Sequence, residues 1–124
     1  GGIANDRLIG GLGADRFSYN SGVAFSGADF GSDRIVDFSS TEGDQIVLGK
    51  ITFGLISNVG NRFSVTSEFK SVANDILAKG SDARIVYSSE TGNVFYNNNG
   101  STIGDESILT TVSASLSATD FTII

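Results

Sequence analysis

The sequence predicts an all-β fold: a short parallel β-roll edge of nonapeptide repeats that continues into an antiparallel β-sandwich. Three observations carry this reading. The chain of 124 residues is 40% hydrophobic, enough for one compact core and too much for a disordered tail. It holds 16 Gly, ten of them within residues 1–49, where they recur in a nine-residue frame. Further on, short β-branched and aromatic runs alternate with Gly-, Ser- and Asn-rich turns. Residues 1–36 are assigned to the repeats and 37–124 to the sandwich that caps them, within one continuous domain, since no linker-like stretch divides the two.

The repeats come first in the chain. Gly1-Gly2-Ile3-Ala4-Asn5-Asp6-Arg7-Leu8-Ile9 aligns with Gly10-Gly11-Leu12-Gly13-Ala14-Asp15-Arg16-Phe17-Ser18, with Gly, Gly, Asp and Arg coincident and a large apolar residue eighth. Ala28-Asp29-Phe30-Gly31-Ser32-Asp33-Arg34-Ile35-Val36 keeps Gly fourth, Asp sixth, Arg seventh and an apolar residue eighth. The block between, residues 19–27, keeps Gly22 and puts Ala24 where Asp is expected. Gly at this density favours turns with positive φ over helix or strand. The polar-apolar-polar triplet that follows makes a short strand with one side chain inward. Two turns and two strands then make a coil of about 18 residues, so turns stack on every second repeat. Stacked turns line up backbone carbonyls and Asp carboxylates, and these oxygens repel one another unless a hard cation sits among them. Calcium suits such a row better than magnesium, because it accepts about 6–8 oxygens in flexible geometry. The plainer alternative makes Asp6, Asp15 and Asp33 turn formers that cap their own loops. Their repetition in one frame favours the cation.

Beyond the repeats, strands are expected at 33–38, 44–48, 62–65, 84–87, 93–96, 107–109 and 121–124, from their β-branched and aromatic content. Ser88-Ser89-Glu90-Thr91-Gly92 reads as a hairpin connection and Asn97-Asn98-Asn99-Gly100 as a second turn. One helix is expected over 71–79, with Val72, Ala73, Ile76 and Leu77 on one face, and a single turn at 117–120. Leu8, Phe17 and Ile35 are expected to point into the roll, and Phe38, Phe53, Phe63, Phe95 and Phe121 into the sandwich. An aromatic sugar-binding platform is the sharper and less favoured reading of the same side chains.

Composition excludes several functions. The chain has no Cys and no His, which removes a Ser-His-Asp triad, the usual zinc sites, a thiol nucleophile and disulfides. Eight basic against 14 acidic residues give a net charge of −6 and speak against nucleic acid, which needs clustered Lys and Arg. No apolar run approaches the ~20 residues that span a bilayer, and no signal peptide opens the chain. The absence of Met and the start inside the repeat block predict a piece of a longer protein, with further coils upstream. Arg7, Arg16 and Arg34 occupy equal repeat positions, as a ladder or, more simply, as solvated partners of the Asp row. Asp37 and Asp44 read as solvated or strand-end residues, and Asp105-Glu106 as an exposed acidic pair that adjacent positions on a strand would point to opposite faces. No EF-hand frame is present, and no catalytic constellation stands out.

The repeated Gly-Gly-x-Gly-x-Asp frame resembles the repeat-in-toxin, or hemolysin-type calcium-binding, family. Asp33-Arg34-Ile35-Val36-Asp37-Phe38 and Gly43-Asp44-Gln45-Ile46-Val47-Leu48 are similar to the segment that closes the repeats in C-terminal domains of serralysin-type proteases. Residues 84–100 resemble a hairpin of bacterial, especially cyanobacterial, repeat-in-toxin C-termini, and Asp120-Phe121-Thr122-Ile123-Ile124 resembles the acid-plus-hydrophobic ending of type I secretion substrates. The resemblance implies a calcium site made by the carbonyls of Gly11 and Gly13 with Asp15, and by the carbonyls of Ala28 and Phe30 with Asp33. It implies a weaker site pairing Gly2, Ala4 and Asp6 with Tyr19, Ser21 and position 24, where Ala24 removes a carboxylate. It further implies a non-catalytic, secreted, extracellular calcium-binding domain that folds on calcium after type I secretion. Its partners would be calcium, the type I secretion machinery and upstream domains of its parent protein. The alternative is a calcium-dependent polysaccharide or cell-surface binding module of a larger enzyme.

Overall fold

A computed structural model describes residues 4–25, 31–97 and 106–124, the side chains of Glu106 and Ser107 excepted. The fold is β-rich, with parallel and antiparallel pairing. In chain order the strands are β1 (Arg7–Leu8), β2 (Arg16–Tyr19), β3 (Asp33–Ile35), β4 (Gln45–Leu48), β5 (Phe69–Val72), β6 (Ile85–Ser88), β7 (Asn93–Asn97), β8 (Glu106–Val112) and β9 (Phe121–Ile123). One sheet has the order β1-β3-β8-β7-β6-β5 and the other β2-β4-β9. The chain therefore visits the two sheets in turn three times: β1 then β2, β3 then β4, β8 then β9. Within each sheet these successive passes pair in parallel. An excursion between the second and third passes carries two short helices, α1 (Lys50–Phe53) and α2 (Asp75–Lys79), and the strands β5 to β7. The antiparallel part is β6 with β7 and β7 with β8.

Alternation explains the layering. In β2, Arg16 and Ser18 are exposed while Phe17 and Tyr19 are buried, the period of two expected when one sheet face meets a core. Phe17, Tyr19, Ile46, Leu48, Phe121 and Ile123 from one sheet join Ile35, Ile85, Tyr87, Val94, Leu109 and Val112 from the other in a single cluster. On the opposite face of the larger sheet, Val86 and Phe95 pack with Ala78 of α2 and Ala83. The aromatic side chains assigned to a core by sequence are buried, which takes up the surface a sugar platform would need: Phe17, Phe38, Phe53, Phe63, Phe95 and Phe121 all lie in these clusters. Leu8 is half-buried against the larger one.

Three expectations are corrected. Turns do not stack on every second repeat: Arg7 pairs with Arg34, at the same position of the third recognisable repeat further on, and Arg16 pairs with Gln45. One coil is therefore longer than the two repeats expected. The cause lies in the Asp-less block. There Phe25 bonds its N–H to Thr52 O (2.8 Å) and sets its ring against Phe53 and Tyr96, at 5.6 and 4.7 Å between centroids. The helix expected over 71–79 is one turn, Asp75–Lys79, because Phe69–Val72 is claimed by pairing with β6 and the Asn74 side chain caps the helix at Leu77 N–H. No strand forms at 62–65. Phe63 anchors that loop against Phe69 and Phe121, and the Val65 N–H donates to Ser57 Oγ instead of to a neighbouring strand. The same excursion covers the outer strand of the smaller sheet: Ile123 N–H donates to Asn61 O (2.8 Å) and Gly60 N–H to Ile123 O (2.7 Å).

Candidate metal centre

The Gly-rich loop of the first pass, between β1 and β2, lies against the loop between β3 and β4 of the second. Positive φ at Gly11 (95°) and Gly13 (97°) turns this first loop so that its amides face the second, a conformation other residues adopt only at a cost. Acidic side chains of the second pass receive these amides. Asp6 N–H donates to Asp33 Oδ1 (3.0 Å), Gly10 N–H to Asp37 Oδ1 (2.9 Å), Gly11 N–H to Asp37 Oδ2 (2.8 Å) and Asp15 N–H to Asp44 Oδ1 (2.8 Å). A longer bond runs from Gly13 N–H to Glu42 Oε1 (3.4 Å). Asp44 also accepts Ser39 N–H at Oδ2 (2.9 Å), so both its oxygens are engaged, and its side chain is buried at 1% exposure. The N–H groups of Gly10 and Gly11 hold the Asp37 carboxyl below its ordinary pKa. Asp37, which faces solvent, and Asp44, directly before β4, are thus inter-pass staples, a role that their reading as solvated or strand-end residues did not include.

The predicted ligands are brought together in a different grouping. Asp15 and Asp33 do not face each other: Asp33 meets Asp6 and Asp15 meets Asp44. Gly2, Ala28 and Phe30 lie outside the described residues. Ala4 is exposed, and its carbonyl sits so close to Gly31 that a Cβ there would come within 2.2 Å of the oxygen. Gly11 and Gly13 are exposed on their loop. Of the second predicted group, Tyr19 is a core residue whose phenol lies near Asp6, Ser21 donates its hydroxyl to Val23 O, and Ala24 is exposed.

Two features still bear on a cation. Asp6 Oδ2 and Asp15 Oδ2 are buried and have no hydrogen-bond partner among the described residues. A carboxylate oxygen taken out of water without a partner is costly, and a hard cation is the ligand that removes that cost. The Asp15 carboxylate is also folded against Gly10, where a Cβ would lie 2.5 Å from Oδ2; Gly at that position of the repeat makes room for it. Against this, no three acidic side chains among the described residues converge closely enough to cage an ion by themselves. The residues present therefore fit a calcium ion only if backbone oxygens complete the shell.

Beside Asp6 and Asp33, the Tyr19 phenol is driven well above its usual pKa by burial and by these carboxylates, against the lowering effect of a Thr110 hydrogen bond. Arg7 and Arg34 do stack as neighbours in register, both exposed, whereas Arg16 stands beside Gln45. Asn97 is buried and donates its amide to Ser81 O (2.6 Å), while Asn98, Asn99, Gly100 and Asp105 lie outside the described residues. Sequence reasoning missed Glu42 and the stapling role of Asp44. The signal for Asp44 was present: Asp15 and Asp44 each stand directly before a short strand with large apolar residues at its second and fourth positions, which the structure aligns, Phe17 with Ile46 and Tyr19 with Leu48. Comparison with protein-family models, with curated proteins and with solved structures gives no match.

Proposed function

We propose that this chain is a non-catalytic, calcium-binding C-terminal domain of the repeat-in-toxin kind, carried by a secreted bacterial protein, exported by a type I secretion machinery and folded outside the cell. In this reading the parallel passes are a short β-roll and the β6-β7-β8 hairpins belong to its sandwich-like cap. The observation that carries the reading is the pair of orphaned oxygens, Asp6 Oδ2 and Asp15 Oδ2, at the same place in two copies of one repeat. Asp6 with Asp33, and Asp15 on its Gly-rich loop, are the residues that would hold the ion. Calcium supplies neutralising charge and flexible oxygen coordination there.

The chain's own residues do the rest. Fixing Gly-rich loops costs roughly 1–2 kcal/mol per residue in backbone entropy, and a chain of charge −6 with its acids concentrated between passes resists compaction. Without divalent cation the loop of the first pass is held by its amide-to-carboxylate bonds, beside the ladders of β1 and β2. With it, stability rises by RT ln(1 + [L]/Kd), about 1.4 kcal/mol at tenfold excess over Kd. Sites of ~10⁻⁴–10⁻³ M, typical of extracellular modules, then switch between the cytosol and the outside. The test is circular dichroism against calcium concentration for the wild type and Asp15→Ala. A calcium-dependent gain of β signal, moved to higher concentration by the substitution and not reproduced by magnesium, is expected. An unchanged signal across the titration in both proteins refutes the reading.

A further inference from the structure

A second surface is unconnected with the acidic loops. Strand β5 is the last strand of the larger sheet and, among the described residues, pairs only with β6. Val72 O accepts Ser89 N–H on that inner side, so the alternation of a parallel ladder leaves the main-chain groups of Ser71 on the open side. Beside this edge runs an open groove of about 500 Å³, lined among others by Lys70, Val72, Ala73, Ile76 and Leu77. Helix α2 turns Ala78 to the core and its two largest apolar side chains outward: Ile76 is 80% exposed and Leu77 53%. A free strand edge beside an apolar groove is the arrangement that accepts an added strand, main-chain bonds giving affinity and alternate side chains filling the groove.

We propose that the β5 edge and its groove receive an extended segment of a partner polypeptide that carries an acidic side chain. Charge decides between occupants. The lining contains Lys70 and no acid, in a chain of net charge −6. Antiparallel pairing of two copies through β5 would set two Lys70 side chains on one face of a four-residue strand, an arrangement that opposes pairing. A strand with apolar residues at alternate positions and a carboxylate near Lys70 meets the same edge without that penalty.

The probe is a capped seven-residue peptide alternating threonine and valine around a central glutamate, with its glutamate-to-lysine counterpart, titrated into the ¹⁵N-labelled 124-residue chain. Amide shifts are expected at Lys70, Ser71 and Leu77, with the lysine peptide about tenfold weaker, equal to about 1.4 kcal/mol. Ile76→Asp, at a solvent-facing position, is expected to remove the footprint and leave the rest of the spectrum unchanged. Lys70→Glu keeps the groove and should reverse the preference between the two peptides. The proposal is overturned by no footprint on β5 at millimolar peptide, by equal affinity for both peptides, or by wild-type dimers in sedimentation that Ile76→Asp dissolves. The last result would give the edge to a second copy.

Discussion

Replacing Asp44 with alanine should be among the most damaging single changes in the acidic loops. Its carboxylate is buried and accepts two amides, Asp15 N–H at 2.8 Å and Ser39 N–H at 2.9 Å. A buried donor left without an acceptor costs about 1–3 kcal/mol. Asp15 is half-buried, so water recovers part of its loss, and the sum comes to about 3 kcal/mol. Asp44→Asn keeps one acceptor but turns an NH₂ group toward the second amide, for about 2 kcal/mol. Asp37→Ala also removes two amide bonds, yet from a solvent-facing carboxylate whose donors water can serve, and should cost less than either. The assay is urea unfolding in chelator, which keeps divalent ions out of the comparison. With a slope of about 2 kcal/mol/M, Asp44→Ala should lower the midpoint by about 1.5 M. Hydrogen exchange at the Asp15 amide should accelerate in the same variant. If Asp44→Ala shifts the midpoint no further than Asp37→Ala, and Asp15 exchange is unchanged, the stapling argument is wrong.

Other outcomes follow from the same contacts. Because the folded-state pKa of Asp37 is depressed, its contribution is fully present above the unfolded carboxylate value of about 3.9 and is lost as pH falls through the folded value. Exchange at Gly10 and Gly11 should rise in that acid window for the wild type and show no such step in Asp37→Asn. Glu68, 6% exposed, accepts the N–H groups of Ile56 and Ser57 (both 2.8 Å) and the Ser57 hydroxyl (2.6 Å), so Glu68→Ala should lower stability by about 3 kcal/mol in thermal or urea unfolding. Gly31 has φ of 68° and a would-be Cβ 2.2 Å from Ala4 O; Gly31→Ala should cost at least about 2 kcal/mol and speed exchange in the first pass ahead of the second.

The repeat frame was legible from sequence, and the register in which the repeats stack was not. Asp6 and Asp33 share a repeat position and face one another, as do Arg7 and Arg34, whereas the expected partner of Asp33 was Asp15. The frame fixes which residues are equivalent, while the number of repeats per coil depends on what the Asp-less block does. That block delivers Phe25 to Phe53 and Tyr96, partners far along the chain that no local pattern announces. Glu68 was invisible for the same reason: an isolated acid reads as surface until Ser57 and Ile56 fold over it. The helix over 71–79 failed through competition. Its periodicity was real, but Phe69–Val72 gains a ladder with β6 along its whole length, and the remainder is left with one turn.

The three passes differ in what holds them, and this orders the stability of the molecule. The third pass joins the second through pairs as distant in sequence as Asp33 and Thr110, and buries Phe121 and Ile123 completely. These contacts are apolar and remote along the chain, slow to form and independent of any ion. The first pass joins the second over a much shorter separation, through the short strand β1, the four-residue ladder of β2 with β4, and a loop whose cross-pass bonds end on carboxylates. Burial thus secures both β9 and β2 against β4, while carboxylate acceptors secure the loop between β1 and β2. The acidic, Gly-rich loop is therefore the part of the first pass whose hold on the second rests on carboxylate acceptors, while its strand β2 shares the buried core of β4 and β9.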